Sequence, residues 1–377
     1  MAADLDVSSP SVFAAFSIAL GVSALVGPSV GATIDKQGGR SVLVSTSLLF
    51  AIGLGGLGVS QGFYSMLASW LVLGLAMGAG LYDAAFSVLV RLYGKEARSS
   101  IAGVTLIAGF ASTVGWPITA LLEAQVDWRF ACFAWATVHL VVALPLNRWL
   151  PDQPVADSRS PQDPTVPPSP TLQVNPAQSS TRAARRATLA LGFVFAATSF
   201  ISTAMASHLP GLLAATGATA PAAVLAASLI GPAQVAARLL EFSVLRRIDP
   251  VRSARFALAL HPVGAITLLA AGTLALPVFA FLHGAGNGWM TIAKGLLPLS
   301  IFGHQGYGRR QGILVAPARL SQALAPWLFG LVLARWGQWA FVLTICLGTI
   351  AAAALWLIPR VEARVLKPSL DSKSTSH

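Results

Sequence analysis

Apolar positions along this chain come in long unbroken runs, with little alternation between apolar and polar residues. Five runs, near 12–34, 41–60, 64–92, 99–122 and 129–149, fill the first part of the chain. Six more follow, near 187–209, 221–245, 254–276, 278–302, 311–334 and 339–359. Each run is about 20 residues or longer, which is what a helix needs to cross the apolar core of a bilayer. Strands of a membrane barrel would instead alternate over segments of about 10 residues. The pattern therefore predicts an all-α, polytopic membrane protein with eleven transmembrane helices. Small residues recur inside the runs, as at Gly74, Gly78 and Gly80, or Gly103, Gly109 and Gly115. In lipid, where burying apolar surface drives little association, such residues let helix backbones pack closely.

The stretch from Pro151 to Arg186 breaks the pattern, with eight prolines, much Ser and Gln, and almost no bulky apolar residue. A segment of this kind cannot repay the entropy of ordering. The predicted organisation is an N-terminal bundle of five spans over 1–150, a flexible cytoplasmic linker over 151–186, a C-terminal bundle of six spans over 187–360, and a cytoplasmic tail over 361–377. The two halves repeat each other in order. Gly27-Pro28 is answered by Gly231-Pro232, and Gly78-Ala79-Gly80 by Gly284-Ala285-Gly286. Gly103 and Pro117 have the same spacing as Gly312 and Pro326, and Trp128-Arg129-Phe130 is answered by Trp339-Ala340-Phe341. Pseudo-symmetric helical halves with a solute site between them near the midplane are a common build of secondary transporters.

Composition narrows the class further. Only 10% of the 377 residues are charged and 55% are hydrophobic, against about 25% charged in an ordinary soluble domain. That excludes a soluble enzyme and a disordered chain. The net charge of +11 does not point to nucleic acid, because the basic residues form no single patch or stripe. They sit in short clusters between apolar runs. With the loop after the first run placed inside, twenty Lys and Arg fall on the inner side, and only Arg129 and Arg335 on the outer. This positive-inside bias predicts an integral, multi-pass protein with its N-terminus outside and its C-terminus inside, expected in a bacterial inner membrane. Cys132 and Cys346 stand alone in apolar runs, without metal-ligand spacing.

Between the first two runs stands Gly31-Ala32-Thr33-Ile34-Asp35-Lys36-Gln37-Gly38-Gly39-Arg40. It resembles the loop motif G-x-x-x-D-[RK]-x-G-[RG]-[RK] of the major facilitator superfamily, and the repeat, linker and span pattern extend the resemblance over the whole chain. One span precedes Gly31 where the family places a further helix ahead of it, so the chain is similar to a member lacking its first helix. Trp70 stands four residues before Gly74, a place where the family often carries arginine. Gly115-Trp116-Pro117 matches the antiporter-associated glycine-proline motif only in part. The resemblance implies alternating access. It also implies a gate in which Gly31, Asp35, Lys36, Gly38 and Arg40 act with Arg91, with Asp35 near the inner end of a second-half helix.

Ionisable side chains inside membrane spans are costly and mark functional sites. Eight stand out: Asp83, His139, His208, Arg238, Glu241, His261, Lys294 and Arg319. Asp83, Ser87 and Arg91 form one stripe at helical spacing, as do Asn287, Thr291 and Lys294, and Arg319 shares a face with Gln322. Gln234, Arg238 and Glu241 also share a face, where Arg238 either pairs with Glu241 or grips an anionic group of the solute. Trp116 beside Pro117, and His208 near Pro210, mark expected bends. The candidate solute-binding residues are thus Asp83, Trp116, His208, Gln234, Arg238, Asn287, Lys294, Arg319 and Gln322. Cations outnumber acids in this set, which favours an organic anion.

Gly53-Leu54-Gly55-Gly56-Leu57-Gly58 matches a dinucleotide-binding pattern but lies in mid-span, without the strand that pattern requires. No Walker loop, paired-cysteine or metalloprotease motif appears, so no cofactor, no ATP-driven pumping and no enzyme activity is expected. The expected partners are a small-molecule solute, the lipid bilayer, and a coupling proton or other ion. The expected function is secondary transport of a small organic solute. A drug or toxic-metabolite efflux carrier is the alternative within transport, and a non-transporting membrane receptor or sensor is the alternative outside it.

Overall fold

A computed structural model describes residues 1–151, 181–243, 248–356 and Ile358, without the side chains of Ser112, Thr113, Trp116 and Thr181. The expected linker up to residue 180 and the expected tail over 361–377 lie outside the described residues. The helix after the linker begins at Thr181, six residues before the expected start at 187.

The described chain is helical throughout. In the first half run α1 (Ser9–Gln37), α2 (Arg40–Gly58), α3 (Phe63–Gly80), α4 (Tyr82–Tyr93), α5 (Ala97–Ala108), α6 (Ala111–Gln125), α7 (Trp128–Val138) and α8 (Leu144–Arg148). In the second run α9 (Thr181–Ala215), α10 (Ala220–Ser243), α11 (Pro250–Ala271), α12 (Leu276–Phe302), α13 (Tyr307–Trp336) and α14 (Ala340–Trp356). Among the described residues, eight helical segments are long and apolar enough to cross a membrane. Three of these, Phe63–Ala108, Pro250–Phe302 and Tyr307–Trp356, are 46, 53 and 50 residues long, each enough for two crossings of about 20 residues.

Local chemistry sets the ends of several helices. The side chain of Ser8 accepts from the Ser11 amide at the start of α1, where Pro10 follows. Asp127 and Asp249 cap α7 and α11 in the same way, accepting from Phe130 and from Val251 and Arg252. Gly38 ends α1 at φ +97°, a backbone region closed to most side chains. The run over 64–92 does not form one helix. It breaks at Leu81, in extended conformation, just after Gly78-Ala79-Gly80. Glycine is a poor helix former, and the break puts Tyr82 and Asp83 at a fresh helix start. The run over 99–122 breaks likewise at Gly109-Phe110, and that over 129–149 contains a π-turn at His139–Ala143.

Two bundles result. In the first, α3 packs on α1 and α2, and α2 packs on α7 and α8. In the second, α12 packs on α10 and α11, and α14 on α9 and α11. The repeat has a packing basis. Gly74 and Gly78 bring α3 against Ala19 and Ser23 of α1, while Gly284 and Gly288 bring α12 against Ile230 and Gln234 of α10. The bundles meet where α1 and α4 pack on α13, and where α5 packs on α10 and α12. Phe86, Ile101, Ile292, Leu296 and Tyr307 form a buried apolar cluster across that boundary.

A Cβ at Gly288 would lie 2.7 Å from the Gln234 Cα, whereas one at Gly55 meets nothing within 4 Å. Gly288→Val is therefore expected to cost about 1–3 kcal/mol through overpacking. A lowered midpoint of thermal unfolding in detergent would register it, and Gly55→Ala should not move that midpoint downward.

Candidate functional site

The break at Leu81 aims Asp83, in the first turn of α4, across the bundle boundary at α13. One carboxylate oxygen accepts from Arg319 Nη2 at 3.0 Å, and the other accepts from Gln311 Nε2 at 3.3 Å. The two charged side chains are only 23% and 15% exposed. Gln311 is fully buried and also donates to the Lys294 carbonyl at 3.4 Å, while its own Oε1 has no partner. Arg319 Nη1 donates to Gln322 Oε1 at 3.2 Å, and Lys294 Nζ donates to Ser199 Oγ of α9 at 2.8 Å. Asp83, Lys294, Arg319 and Gln322 thus belong to one polar cluster that links α4, α9, α12 and α13. Beside it lies a cleft whose walls include Ser23, Ser87, Gly78 and Ala316.

Arg238 of α10 lies near Tyr82 and against Gly109 of the first bundle. It is 6% exposed, donates to Gln234 Oε1 only at a long 3.5 Å, and leaves Nε without a partner. Among the described residues, no carboxylate lies within ion-pair distance of Arg238. Glu241, three residues on, does not pair with it. Its carboxylate accepts from Ser253 Oγ of α11 at 3.0 Å and lies 3.9 Å from Arg98 Nη2, and Trp289 Nε1 donates to Ser253 Oγ at 2.6 Å. Helical spacing puts Arg238 and Glu241 on one face, but tertiary partners pull the two side chains apart.

Other candidates fall elsewhere. Asn287 lines a cavity inside the second bundle, apart from the Asp83–Arg319 pair. His208 Nε2–H donates to the Pro326 carbonyl at 2.7 Å, so this histidine ties α9 to α13 and makes no bond to the cluster. His139 stacks on Phe50. The side chain of Trp116 lies outside the described residues. Tyr82, Ser199 and Gln311 were not among the candidates. They are neutral, and nothing in a single chain of residues signals which neutral groups meet a distant charge. His283 was missed too, although it lies in the same run as Lys294 and meets the same criterion for ionisable residues.

The motif expected in a loop lies largely in helix: Gly31 to Gln37 form the last turns of α1, only Gly38 and Gly39 connect to α2, and this end of α1 closes one end of the boundary. Asp35 Oδ1 and Oδ2 accept from the amides of Gly308 and Arg309, each at 2.9 Å, at the exposed N-terminus of α13. An acid is favourable there because the first helical amides lack partners and carry partial positive charge. Arg91, at the far end of the Asp83 stripe, donates to the Asp35 carbonyl. Gly31 and Gly27 pack directly on Gly308 and Gly312, and a Cβ at Gly31 would overlap the Gly308 carbonyl. Arg40 Nε donates to the Leu150 carbonyl at 2.5 Å, fixing the start of α2 to the end of the first bundle, and Lys36 is exposed.

The fold matches known proteins. The structure superposes on a proton:xylose symporter of the same architecture, XylE bound to 6-bromo-6-deoxy-D-glucose, with a TM-score of 0.68 at 13% identity, covering 92% of this chain and 85% of that one. It superposes on the human organic anion transporter MFSD10 (TETRAN) with a TM-score of 0.64 at 20% identity, covering 92% and 83%. An uncharacterized 38 kDa protein in the 23S RNA operon of Thermoproteus tenax is 28% identical over 351 residues, or 93% of this chain and 86% of that protein. The family model of the Major Facilitator Superfamily matches residues 1–260. With that match spanning most of its length, the chain belongs to the Major Facilitator Superfamily.

Proposed function

We propose that this secondary transporter carries a small organic anion by alternating access. The observation that carries the reading is the charge balance at the bundle boundary. Asp83 neutralises Arg319, while Arg238 has no acid within reach among the described residues, and the Lys294 amine is bound to a neutral hydroxyl. A guanidinium and an ammonium left in this state in a low-dielectric setting favour a carboxylate or similar anion between them. That the structurally similar human protein is an organic anion transporter agrees with this assignment. The Asp35 closure lies on the cytoplasmic side in this reading, with eleven crossings, the N-terminus outside and the C-terminus inside, in a bacterial inner membrane. The structure then corresponds to a state closed toward the cytoplasm.

A panel of mono- and dicarboxylates, neutral sugars and organic cations, tested by thermal shift on the purified chain, examines the solute class. A ligand at about a hundred times its Kd stabilises the folded state by about 2.7 kcal/mol. Stabilisation by carboxylates alone is the expected result, and stabilisation by sugars or cations alone would overturn the anion assignment. Flux of the selected solute in proteoliposomes then separates a carrier from a receptor, since a receptor binds without moving label.

The closure has its own test. Asp35→Asn keeps one acceptor oxygen, so one of the two amide bonds to α13 is lost, a change of about 1 kcal/mol in the closed state. The turnover rate of the selected solute should change severalfold while its affinity stays within about twofold. An affinity collapse at unchanged turnover would contradict the gate.

A further inference from the structure

A second, partly open cavity lies in the second bundle, between α9, α11, α12 and α14. Its lining is mainly apolar, through residues such as Ile201, Leu258 and Met290, with His261, His283, Asn287, Thr198 and Ser202 as its polar members. His261 and His283 are 6% and 4% exposed, and their Nδ1 atoms lie 2.9 Å apart. A hydrogen bond between two Nδ1 atoms requires one to carry the hydrogen and the other to be bare. His261 Nε2 is buried and has no partner. If His261 donates through Nδ1, its Nε2 is a bare acceptor. An added proton can then bind there without breaking the bridge, turning one ring into an imidazolium that still donates to its neighbour. Phe279 stacks on His283 and meets His261 edge-on, so the pair is held in fixed orientation.

Among the described lining residues, none from α9, α11, α12 or α14 is charged. Three nearby charged groups, Arg255 of α11, Lys294 of α12 and Glu241 of α10, are engaged elsewhere. Lys294 donates to Ser199, Arg255 donates to the Leu355 carbonyl, and Glu241 is bound to Ser253, eight residues from His261. Eight residues of helix span about 12 Å. An uncompensated charge buried this way is costly, so the packing seen here suits the neutral pair, and a packing that admits water suits the protonated one.

We propose that His261 and His283 form a one-proton binding site, distinct from the proposed anion site, whose occupancy disfavours the closed conformation described here. The connection runs through elements already in place. Met290 and Thr198, which line the cavity, stand next to Lys294 and Ser199 on α12 and α9, and Gln311 joins the Lys294 carbonyl to Asp83. Loosening α9 from α12 therefore weakens the cluster that joins the two bundles. By linkage, opening the closure must raise proton affinity at the pair by the same factor. This assignment is independent of which solute the protein carries.

The test needs no solute. Nitrogen NMR of the full chain in lipid nanodiscs, with labelled histidine, reads the ring charges between about pH 8 and about pH 5, where imidazole ordinarily titrates. Amide hydrogen exchange at Gly308 and Arg309, corrected for intrinsic pH dependence, reads the closure. In the wild type we expect a bridged neutral pair at the upper pH. Acidification should produce one imidazolium per chain from this pair, with corrected exchange rising by up to about tenfold per pH unit. In His261→Gln and His283→Gln the rise should be less than about twofold. The proposal falls if the wild-type pair stays neutral throughout, if it charges while exchange stays flat, or if either variant opens with acid as the wild type does. The first two outcomes rest on the wild-type chain alone, so a variant that fails to fold leaves the decision intact.

Discussion

Arg238→Ala is expected to reduce transport of the selected carboxylate by about thirtyfold to about five-thousandfold, corresponding to the loss of about 2–5 kcal/mol that truncating one side of a buried charge pair costs. The fold should survive the change. Arg238 makes no ion pair among the described residues and only a long bond to Gln234, so its removal strands no acid. Thermal stability without solute should therefore hold or rise, because a buried cation lacking a partner is itself unfavourable. Arg238→Lys keeps the charge but loses the planar fork, and it should recover part of the affinity. A purely structural Arg238 would show the reverse, with lost stability and unchanged transport in the molecules that still fold.

Arg319 should behave in the opposite way, and the contrast is the second large effect. Arg319→Met leaves Gln311 as the one hydrogen-bond donor to the Asp83 carboxylate among the described residues, and should lower stability by about 1.5–3 kcal/mol. The partial exposure of both side chains, 15% and 23%, moves the expectation toward the lower end because solvent screens part of the interaction. Replacing both residues, as Asp83→Leu with Arg319→Met, removes the stranded charge and should restore stability to within about 1 kcal/mol of the wild type. Transport should stay lost in the double variant if the pair takes part in the cycle. Stability that falls further in the double variant would mean that Asp83 and Arg319 are coupled to other groups more strongly than to each other.

Much of this was legible in the sequence, and the reasons differ by level. Apolar runs long enough to cross a bilayer announce helices because length and hydrophobicity are local properties. The placement of Asp35 near the end of a second-half helix was implied by the resemblance of the motif around it, since its partners at Gly308 and Arg309 are 273 and 274 positions away. Partners are another matter. Asp83 and Arg319 are 236 positions apart, and charge inventory can name both without joining them. Spacing misled at Arg238 and Glu241, where Ser253 and Arg98 from other helices compete for the acid. The break at Leu81 was hidden inside a continuous apolar run, because hydrophobicity does not report helix continuity, although Gly78 and Gly80 carried the signal. Asn287 was grouped with Lys294 by helix face, yet Asn287 lines the cavity of the histidine pair while Lys294 turns to Ser199.

The central claim is that unneutralised positive charge at the boundary of two bundles selects an anion and moves it across the membrane. Counterflow in proteoliposomes tests it most directly, with vesicles preloaded with unlabelled carboxylate and external labelled carboxylate or labelled neutral sugar. Accumulation of the carboxylate label by the wild type, its loss in Arg238→Ala, and no accumulation of the sugar are the predicted results. Sugar counterflow that persists in Arg238→Ala, with none for any carboxylate, would contradict the account.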